Sequence, residues 1–228
     1  ILEEKCRKLN ESFFKWIIEG MPFVTLKLAM TLDGKIADFS GVSKWITCEK
    51  TRKRVQKLRL SSDAILIGGN TLRADKPSLT VRDFKKERQP LRIVASRTMT
   101  VAEAEKLFAS AGGEVRALKA SSRSEWLNAL KKLGKENITS ILVEGGGILA
   151  SELIDHQLVD KIELHFAPSI LGSELAVPAF RGKNRKLADA VKLRNVKLEH
   201  SGGDIILSAY PEYCMNSSPQ GRKGRTKI

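Results

Sequence analysis

The sequence has 228 residues, of which 42% are hydrophobic and 29% charged, and its formal net charge is +14. This length and composition indicate one domain, or two small ones, of an ordinary globular protein. No apolar run approaches the roughly 18 residues of a membrane span, and charge scattered through the first twenty residues excludes a signal-peptide layout. We therefore expect a piece of a longer cytoplasmic protein without membrane partners.

Apolar patterns of two periods alternate along the chain and predict strands and helices in turn. In chain order they predict a helix over 2–19, a strand over 23–30, a basic helix over 49–60, strands over 63–69, 91–96 and 114–118, a helix over 124–134, a strand over 138–144, a helix over 147–154, a strand over 161–171 and a hairpin over 195–210. This order predicts an α/β fold whose sheet is mostly parallel, flanked by helices, with an antiparallel hairpin at its C-terminal edge.

The positive charge has two sources. Residues 215–228 contain Arg222, Lys223, Arg225 and Lys227 and no acid, which is typical of a solvated tail. The rest of the chain remains basic, and that charge suits either a nucleic acid or a small ligand with several phosphates.

The cysteines and histidines indicate no metal site. Three cysteines and three histidines are spread along the chain without a CxxC pair or a neighbouring His. The spacing therefore indicates neither a zinc site nor a disulfide framework, and we assign these residues no role.

Three glycines, 145–147, follow an apolar strand and precede a helix in the stretch VEGGGILASEL. Bare amides at a helix N-terminus favour a phosphate. Tight packing of the strand against the helix explains the same glycines equally well. Glu144, the acid that ends the strand, is either a surface residue or an acceptor aimed into a cleft.

Two more strand ends carry polar residues, and ligands of open α/β sheets bind beyond such ends. After Gly68 and Gly69, either Asn70 or Thr71 could cap a short helical turn. The loop behind it holds an acid among basic residues: Arg73, Asp75, Lys76 and Arg82. Ser96 and Arg97 follow the next strand, where a hydroxyl and a guanidinium could share one phosphate. Read alone, each end could also be an ordinary solvated loop.

These stretches, in this order, resemble a known family. PFVTLKLAMTLDGKIA, SGVSKWIT, LRLSSDAILIGGNTLRADKPSLTVR, LRIVASR and ILVEGGGILASELI are similar to the reductase domain of the bifunctional riboflavin-biosynthesis deaminase–reductase. The resemblance covers roughly residues 10 to 210. The zinc-deaminase signature, H-x-E followed by P-C-x-x-C, does not occur in the chain. The resemblance therefore implies a connecting helix at 1–21 from a missing deaminase domain, a reductase domain at 22–212 and a basic, disordered tail at 213–228.

The same resemblance implies a dihydrofolate-reductase-like fold, a homodimer and NADPH as cofactor. It implies reduction of 5-amino-6-(5-phosphoribosylamino)uracil to its ribitylamino counterpart, with hydride transfer to C1′ of the sugar. A deaminase domain, fused or separate, is the implied protein partner, and no metal is implied.

The family's motifs assign roles to fifteen positions. Lys27 and Asp75 correspond to the groups that would polarise the sugar oxygen or relay its proton. Substrate-contacting positions are Ser43, Arg59, Leu79, Arg82 and Glu144, of which Ser43 and Leu79 are expected to act mainly through backbone. Cofactor positions are Ala29, Trp45, Thr71, Asp75, Ser96, Gly146, Gly147, Ile148 and Leu149.

Two departures from the family pattern add positive charge beside the expected substrate. Lys76 stands where many members have a second acid, and Arg73 stands where a small or apolar residue is common. They would either tighten anion binding or mark a related reductase of another phosphorylated pyrimidine or pterin. A nucleic-acid-binding module is the more distant alternative, because aromatic residues make up only 6% of the chain and such a surface needs them between basic side chains.

Overall fold

The computed structural model describes residues 2–85, 87–110 and 112–213. Of the tail expected at 213–228, only Tyr213 belongs to this part, so that expectation lies outside the described residues. The α helices of the described ranges are α1 Glu3–Leu9, α2 Glu11–Glu19, α3 Glu49–Leu60, α4 Gly69–Asp75, α5 Val101–Leu107, α6 Arg123–Lys135 and α7 Gly147–Asp155. The strands are β1 Phe23–Thr31, β2 Lys35–Ala37, β3 Ala64–Gly68, β4 Leu91–Ala95, β5 Val115–Leu118, β6 Ser140–Glu144, β7 Lys161–Ala167, β8 Val177–Pro178, β9 Lys192–Ser201 and β10 Asp204–Glu212. A short 3-10 turn covers Leu187–Asp189.

One eight-stranded sheet organises the molecule, in the order β5-β4-β3-β6-β1-β7-β10-β9. The pairings from β5 across to β7 are parallel, and those of β10 with β7 and β9 are antiparallel. The predicted fold, a mostly parallel sheet flanked by helices and closed by a hairpin, is therefore confirmed. Strands β2 and β8 form a separate two-stranded sheet.

The core lies on both faces of the central strands. On one face, Trp126 of α6 is fully buried among apolar side chains of β1, β3 and β6. On the other, Ile65 and Ile67 of β3 pack with Leu72, Met99 and their neighbours. Strands buried on both faces read as continuous apolar runs, which is why these were predictable from the sequence.

The segment predicted as a single helix over 2–19 is two helices, α1 and α2, which meet at Asn10. The Asn10 amide Nδ2 donates to the Cys6 carbonyl at 3.0 Å, so its side chain competes for backbone acceptors at the end of α1. Gly20 ends α2 in the left-handed conformation (φ 66°), which glycine adopts readily.

Polar contacts dock α2 on the rest of the fold. Trp16 Nε1 donates to the Gly134 carbonyl at 2.7 Å, and Lys15 Nζ lies 2.5 Å from Asp160 Oδ2. The apolar side chains of α2 are mostly exposed, including Phe13, with 51% of its surface accessible.

Four elements were not predicted: helix α5, strands β2 and β8, and the 3-10 turn at Leu187–Asp189. Helix α5 was missed because it is short, although Thr100 and Glu103 form a capping box at its start and the T-x-x-E pattern is a known signal. Strands β2 and β8 have three and two residues and carry too little pattern to be read from the sequence.

Substituting Gly134 tests how closely α6 and the end of α2 pack. A Cβ at this position would lie 2.1 Å from the Gly20 carbonyl oxygen. We expect Gly134→Ala to lower the free energy of unfolding by about 1–3 kcal/mol, as overpacking does, measured by urea denaturation. Gly203→Ala is the matched control, since the nearest atom to its Cβ would be 3.9 Å away; an equal effect of both substitutions would contradict the predicted contact.

Candidate active site

The ends of the central parallel strands open into one cleft of about 900 Å³, a volume typical of small-molecule sites. All fifteen residues assigned from the sequence line it. The structure thus brings together residues that span positions 27 to 149, whose individual roles stay predictions.

The glycine turn 145–147 combines close packing at one glycine with uncovered backbone at another. Gly145 and Gly146 have φ of 81° and 87°, a region that side chains rarely adopt. A Cβ on Gly146 would lie 2.8 Å from Thr71 Oγ1, whereas a Cβ on Gly147 would lie 2.7 Å from the Pro178 carbonyl oxygen. Gly147 is therefore a packing glycine, and Gly146 leaves bare backbone beside Thr71 at the start of α7.

Helix α4 begins at Gly69, two or three residues earlier than predicted. Its N-cap is Gly68, with no side-chain cap bond, so the prediction that Asn70 or Thr71 caps it is wrong. Gly69 already has helical geometry, and its small size allows this because a Cβ there would lie 2.9 Å from Ser96 Cβ. Thr71 is consequently inside the helix, with its hydroxyl directed at the glycine turn.

Ser96 begins a turn after β4. Its Oγ accepts hydrogen bonds from the Met99 amide at 3.1 Å and, more weakly, from Thr98 at 3.3 Å. The hydroxyl proton remains available to a ligand. Arg73 and Arg97 line the same end of the cleft, which makes this end suitable for an anion.

Arg59 and Glu144 form a bidentate ion pair at the bottom of the cleft. Arg59 Nε lies 2.6 Å from Glu144 Oε1, and Nη2 lies 2.8 Å from Oε2. Each side chain is only 11% exposed. Burial opposes ionisation of the carboxyl, but Arg59 outweighs it and holds the pKa of Glu144 below its usual value. Sequence reasoning assigned both residues to the substrate and missed that they bind each other.

Lys27 lies beside this pair, because β1 pairs in register with β6 and places Lys27 opposite Glu144. Burial lowers the pKa of Lys27, Glu144 and Glu163 raise it, and Arg59 lowers it; burial prevails. A lysine with a lowered pKa releases its proton more readily than a free one.

Asp75 is held at the cleft entrance by the preceding loop. Ser43 Oγ donates to Asp75 Oδ1 at 3.2 Å, and Lys44 Nζ donates to the Asp75 carbonyl at 3.1 Å. Trp45 follows, 70% exposed, with the Arg52 guanidinium stacked 4.5 Å from its ring centre. Ser43, Trp45 and Asp75 therefore form one wall of polar and aromatic groups at the cleft entrance. Lys44 and Arg52 add positive charges to this wall, and sequence reasoning missed both.

Leu79 and Arg82 occupy the loop after α4. Leu79 has a positive φ of 51° and is 3% exposed as a whole residue, with its side chain packed in the core, so the expected backbone contact with a ligand stays a prediction. The Arg82 amide donates to Gln56 Oε1 at 3.1 Å, which fixes the backbone. Its side chain is exposed in the cleft and forms no ion pair with a described residue.

The cleft lining is strongly cationic. It holds eight basic side chains and three acidic ones: Lys27, Lys44, Arg52, Arg59, Arg73, Arg82, Arg97 and Arg181 against Asp75, Glu144 and Glu152. Within the described ranges, no helix is long and apolar enough to cross a bilayer, and no group of three His, Cys, Asp or Glu side chains could hold a metal ion.

Fold and site together define an α/β protein with a cationic cleft, a bare glycine turn and a buried ion pair at the ends of its parallel strands. The chain belongs to the RibD C-terminal domain family, whose sequence model matches residues 22–207.

The relatives of this chain are longer proteins, of which it matches a part. The chain is 33% identical over 225 residues to the riboflavin biosynthesis protein RibD of Aquifex aeolicus, covering 91% of this chain and 63% of that protein. It is 35% identical over 240 residues to RibD of Haemophilus influenzae, covering 93% and 64%. The chain thus spans slightly less than two thirds of the curated relatives it matches.

Solved structures of similar proteins have the same fold. A deaminase/5-amino-6-(5-phosphoribosylamino)uracil reductase from Thermotoga maritima superposes with a TM-score of 0.78 at 31% identity, covering 92% of this chain and 62% of that one. The reductase Rib7 of Saccharomyces cerevisiae, at 18% identity and a TM-score of 0.64, shares the fold.

The Arg59–Glu144 pair yields a stability prediction. We expect Arg59→Met to lower the free energy of unfolding by about 3–5 kcal/mol, because it leaves a buried carboxylate without its counter-ion. Adding Glu144→Gln removes that charge and should recover about half of the loss or more. Urea denaturation measures both, with Lys57→Met, an exposed change on the same helix, as control. A double variant no more stable than the single one would contradict the pairing argument.

Proposed function

We propose that this chain is an NADPH-dependent reductase of riboflavin biosynthesis. Its substrate is 5-amino-6-(5-phosphoribosylamino)uracil, and its product is the ribitylamino counterpart. Family membership supports the proposal, as do the names of its relatives, which include riboflavin biosynthesis proteins and a reductase of this substrate.

One observation carries the proposal. Glu144, fixed by Arg59, directly precedes the bare glycine turn 145–147, and both line the same cationic cleft. A single chain segment thus offers a rigid carboxylate to one ligand and open backbone to another. A two-substrate reductase needs this adjacency, because the hydride donor and acceptor must lie in contact.

On the cofactor side, the cleft has groups suited to bind nicotinamide adenine dinucleotide phosphate. Gly146 leaves the space that a Cβ would occupy, next to Thr71, and the start of α7 adds partial positive charge for a pyrophosphate. Gly147, Ile148 and Leu149 continue this wall, and Ala29 and Trp45 line the cleft elsewhere. Ser96, beside Arg97, is our candidate for the phosphate on the adenosine ribose, which favours NADPH over NADH.

On the substrate side, the cleft offers one rigid carboxylate and several positive side chains to bind a phosphorylated pyrimidine. Glu144 can accept hydrogen bonds from ring or amino N–H groups with the lone pairs that Arg59 leaves free. The exposed guanidinium of Arg82 is the candidate for the phosphate, with Lys44 nearby on the cleft lining. Backbone groups of Ser43 and Leu79 complete the wall.

Chemically, the reaction adds a hydride and a proton across a carbon–nitrogen double bond. The reduced nicotinamide supplies the hydride when it is bound. Ring opening of the aminosugar gives an imine at C1′; hydride adds to C1′, and a proton adds to the nitrogen. Lys27, with its lowered pKa, is placed to deliver a proton, and Asp75 can relay the proton of the sugar hydroxyl.

A direct assay tests the proposal. NADPH and NADH are titrated against the protein, the phosphoribosylamino pyrimidine is added, and loss of reduced-cofactor absorbance is followed. We expect NADPH to bind and to be oxidised in proportion to ribitylamino product. Absence of NADPH binding would overturn the proposal, and binding without turnover would favour a related reductase of another phosphorylated pyrimidine or pterin.

Gly146→Ala should weaken the cofactor more than the substrate. The added Cβ meets Thr71 Oγ1 at 2.8 Å and strains a backbone with φ of 87°. We expect the KM for NADPH to rise about ten-fold or more, the equivalent of a 1.4 kcal/mol loss. Gly172→Ala is the control, since it has a similar positive φ of 62° but open space around its Cβ and no place in the cleft lining.

Arg82→Ala should weaken the substrate instead. A charge-assisted phosphate contact contributes roughly 1.5–3 kcal/mol, so we expect the substrate KM to rise about ten- to a hundred-fold with little change for NADPH. Arg88→Ala, a change at an exposed arginine outside the cleft lining, should leave both values unaltered. Equal losses for the two ligands would refute the division of the cleft.

Several properties belong to the same proposal. They are a homodimeric state, an attached or separate deaminase partner at the N-terminal side, a cytoplasmic location and the domain limits 22–212. RNA binding that persists after deletion of residues 215–228 would instead revive the nucleic-acid alternative.

A further inference from the structure

Strand β7 buries two ionisable side chains that the proposed reaction does not use. Glu163 is 3% exposed and His165 is fully buried. In register, Lys27 of β1 pairs with Glu163 of β7 on one side and with Glu144 of β6 on the other. Paired residues of neighbouring strands leave the sheet on the same face, about 5 Å apart. Lys27 therefore stands between two carboxylates.

The two carboxylates differ in how fully they are engaged. Both oxygens of Glu144 accept from Arg59. By contrast, Arg54 Nε and His165 Nε2 both reach the same oxygen of Glu163, Oε1, at 2.8 and 2.9 Å. Oε2 of Glu163 accepts no hydrogen bond from any described residue, so this oxygen is available to attract the Lys27 ammonium.

His165 acts on Glu163 as a neutral donor. Burial lowers the pKa of His165, and an ionised carboxylate can only accept, so the shared hydrogen lies on Nε2. Nδ1 is buried without a partner among the described residues. His165 and Arg54 together hold the pKa of Glu163 down to about 2 against the effect of burial, so Glu163 is an anion at neutral pH.

The charged groups that face Lys27 come from three elements. Glu144 lies on β6, Glu163 and His165 on β7, and Arg59 on α3. Arg54, also on α3, contacts Glu163 rather than Lys27. Arg59 neutralises Glu144 and repels Lys27. Arg54 divides its charge, because its Nη1 also contacts exposed Glu199 at 2.6 Å. Glu144 acts on Lys27 more strongly than Glu163 does, but Arg59 occupies both oxygens of Glu144, whereas Glu163 keeps one oxygen without a hydrogen bond from a described residue.

We propose that Glu163, oriented by His165 and Arg54, is a positioning residue that serves as the counter-ion of Lys27 beneath the cleft. It favours the charged form of this amine while Glu144 is occupied by Arg59 and by the substrate. The inference rests on the proposed function insofar as Lys27 handles a proton there.

The charge on Lys27 can be measured without catalysis. Pulses of acetic anhydride at a series of pH values label only unprotonated amines, and mass spectrometry of the peptide that contains Lys27 gives the titration midpoint. Removing a neighbouring anion disfavours the ammonium, so the midpoint should fall by about one pH unit in Glu163→Gln. Glu49→Gln, which removes an exposed carboxylate from the first turn of α3, should leave it unchanged. An unmoved midpoint in the first variant, or equal shifts in both, would overturn the proposal.

Two further variants keep the proposal testable if Glu163→Gln does not fold. Glu163→Asp keeps the charge and should restore the midpoint toward that of the unaltered protein. If Glu163→Gln does not fold, Arg54→Gln takes its place: it strips Glu163 of a cation, so the midpoint of Lys27 should rise, and an unchanged or lower value contradicts the proposal.

Activity supplies a separate readout. If the chain is the proposed reductase, the alkaline limb of kcat/KM should move to lower pH in Glu163→Gln while the Kd for NADPH stays unchanged. If no reductase activity is found at all, the labelling experiment still decides the role of Glu163, so the two failures are distinguishable.

Discussion

The buried pair of Arg59 and Glu144 is the constraint on which the site depends. It joins the last turn of α3 to the end of β6, and so fixes the helix above the sheet at the point where the cleft begins. Buried ion pairs rarely add net stability over apolar residues. Here the pair instead supplies an ionised, immobile acid in a cavity that is otherwise cationic.

The electrostatics of the central strands follow from that constraint. With Glu144 engaged, Lys27 sits in a row of alternating charge that runs from α3 across β6 and β1 to β7. Parallel pairing in register places these side chains side by side, which a sequence cannot display because the three residues are far apart along the chain. The alternation keeps several buried charges close together without leaving any of one sign isolated.

The sheet, and the strand ends that meet at the cleft, were predictable from the sequence for a physical reason, whereas the roles of the site residues stay predictions. Strands such as β3 and β6 are buried on both faces and appear as apolar runs, and the loops after them carry distinctive polar motifs. What could not be predicted depends on contacts between distant segments. The break at Asn10, the two-residue strand β8, the mutual pairing of Arg59 with Glu144 and the burial of His165 all arise from tertiary packing rather than from local pattern.

The packing glycine, Gly147, has a consequence for how the cleft can move. Its carbonyl accepts from the Arg181 amide at 3.1 Å, while the Ala179 amide donates to the Gly34 carbonyl at 2.8 Å. The segment that follows β8 thereby connects the turn between β1 and β2 to the first turn of α7. Because both hydrogen bonds come from the same short segment, a displacement of the β1–β2 turn would also move the start of α7 and the glycine turn before it.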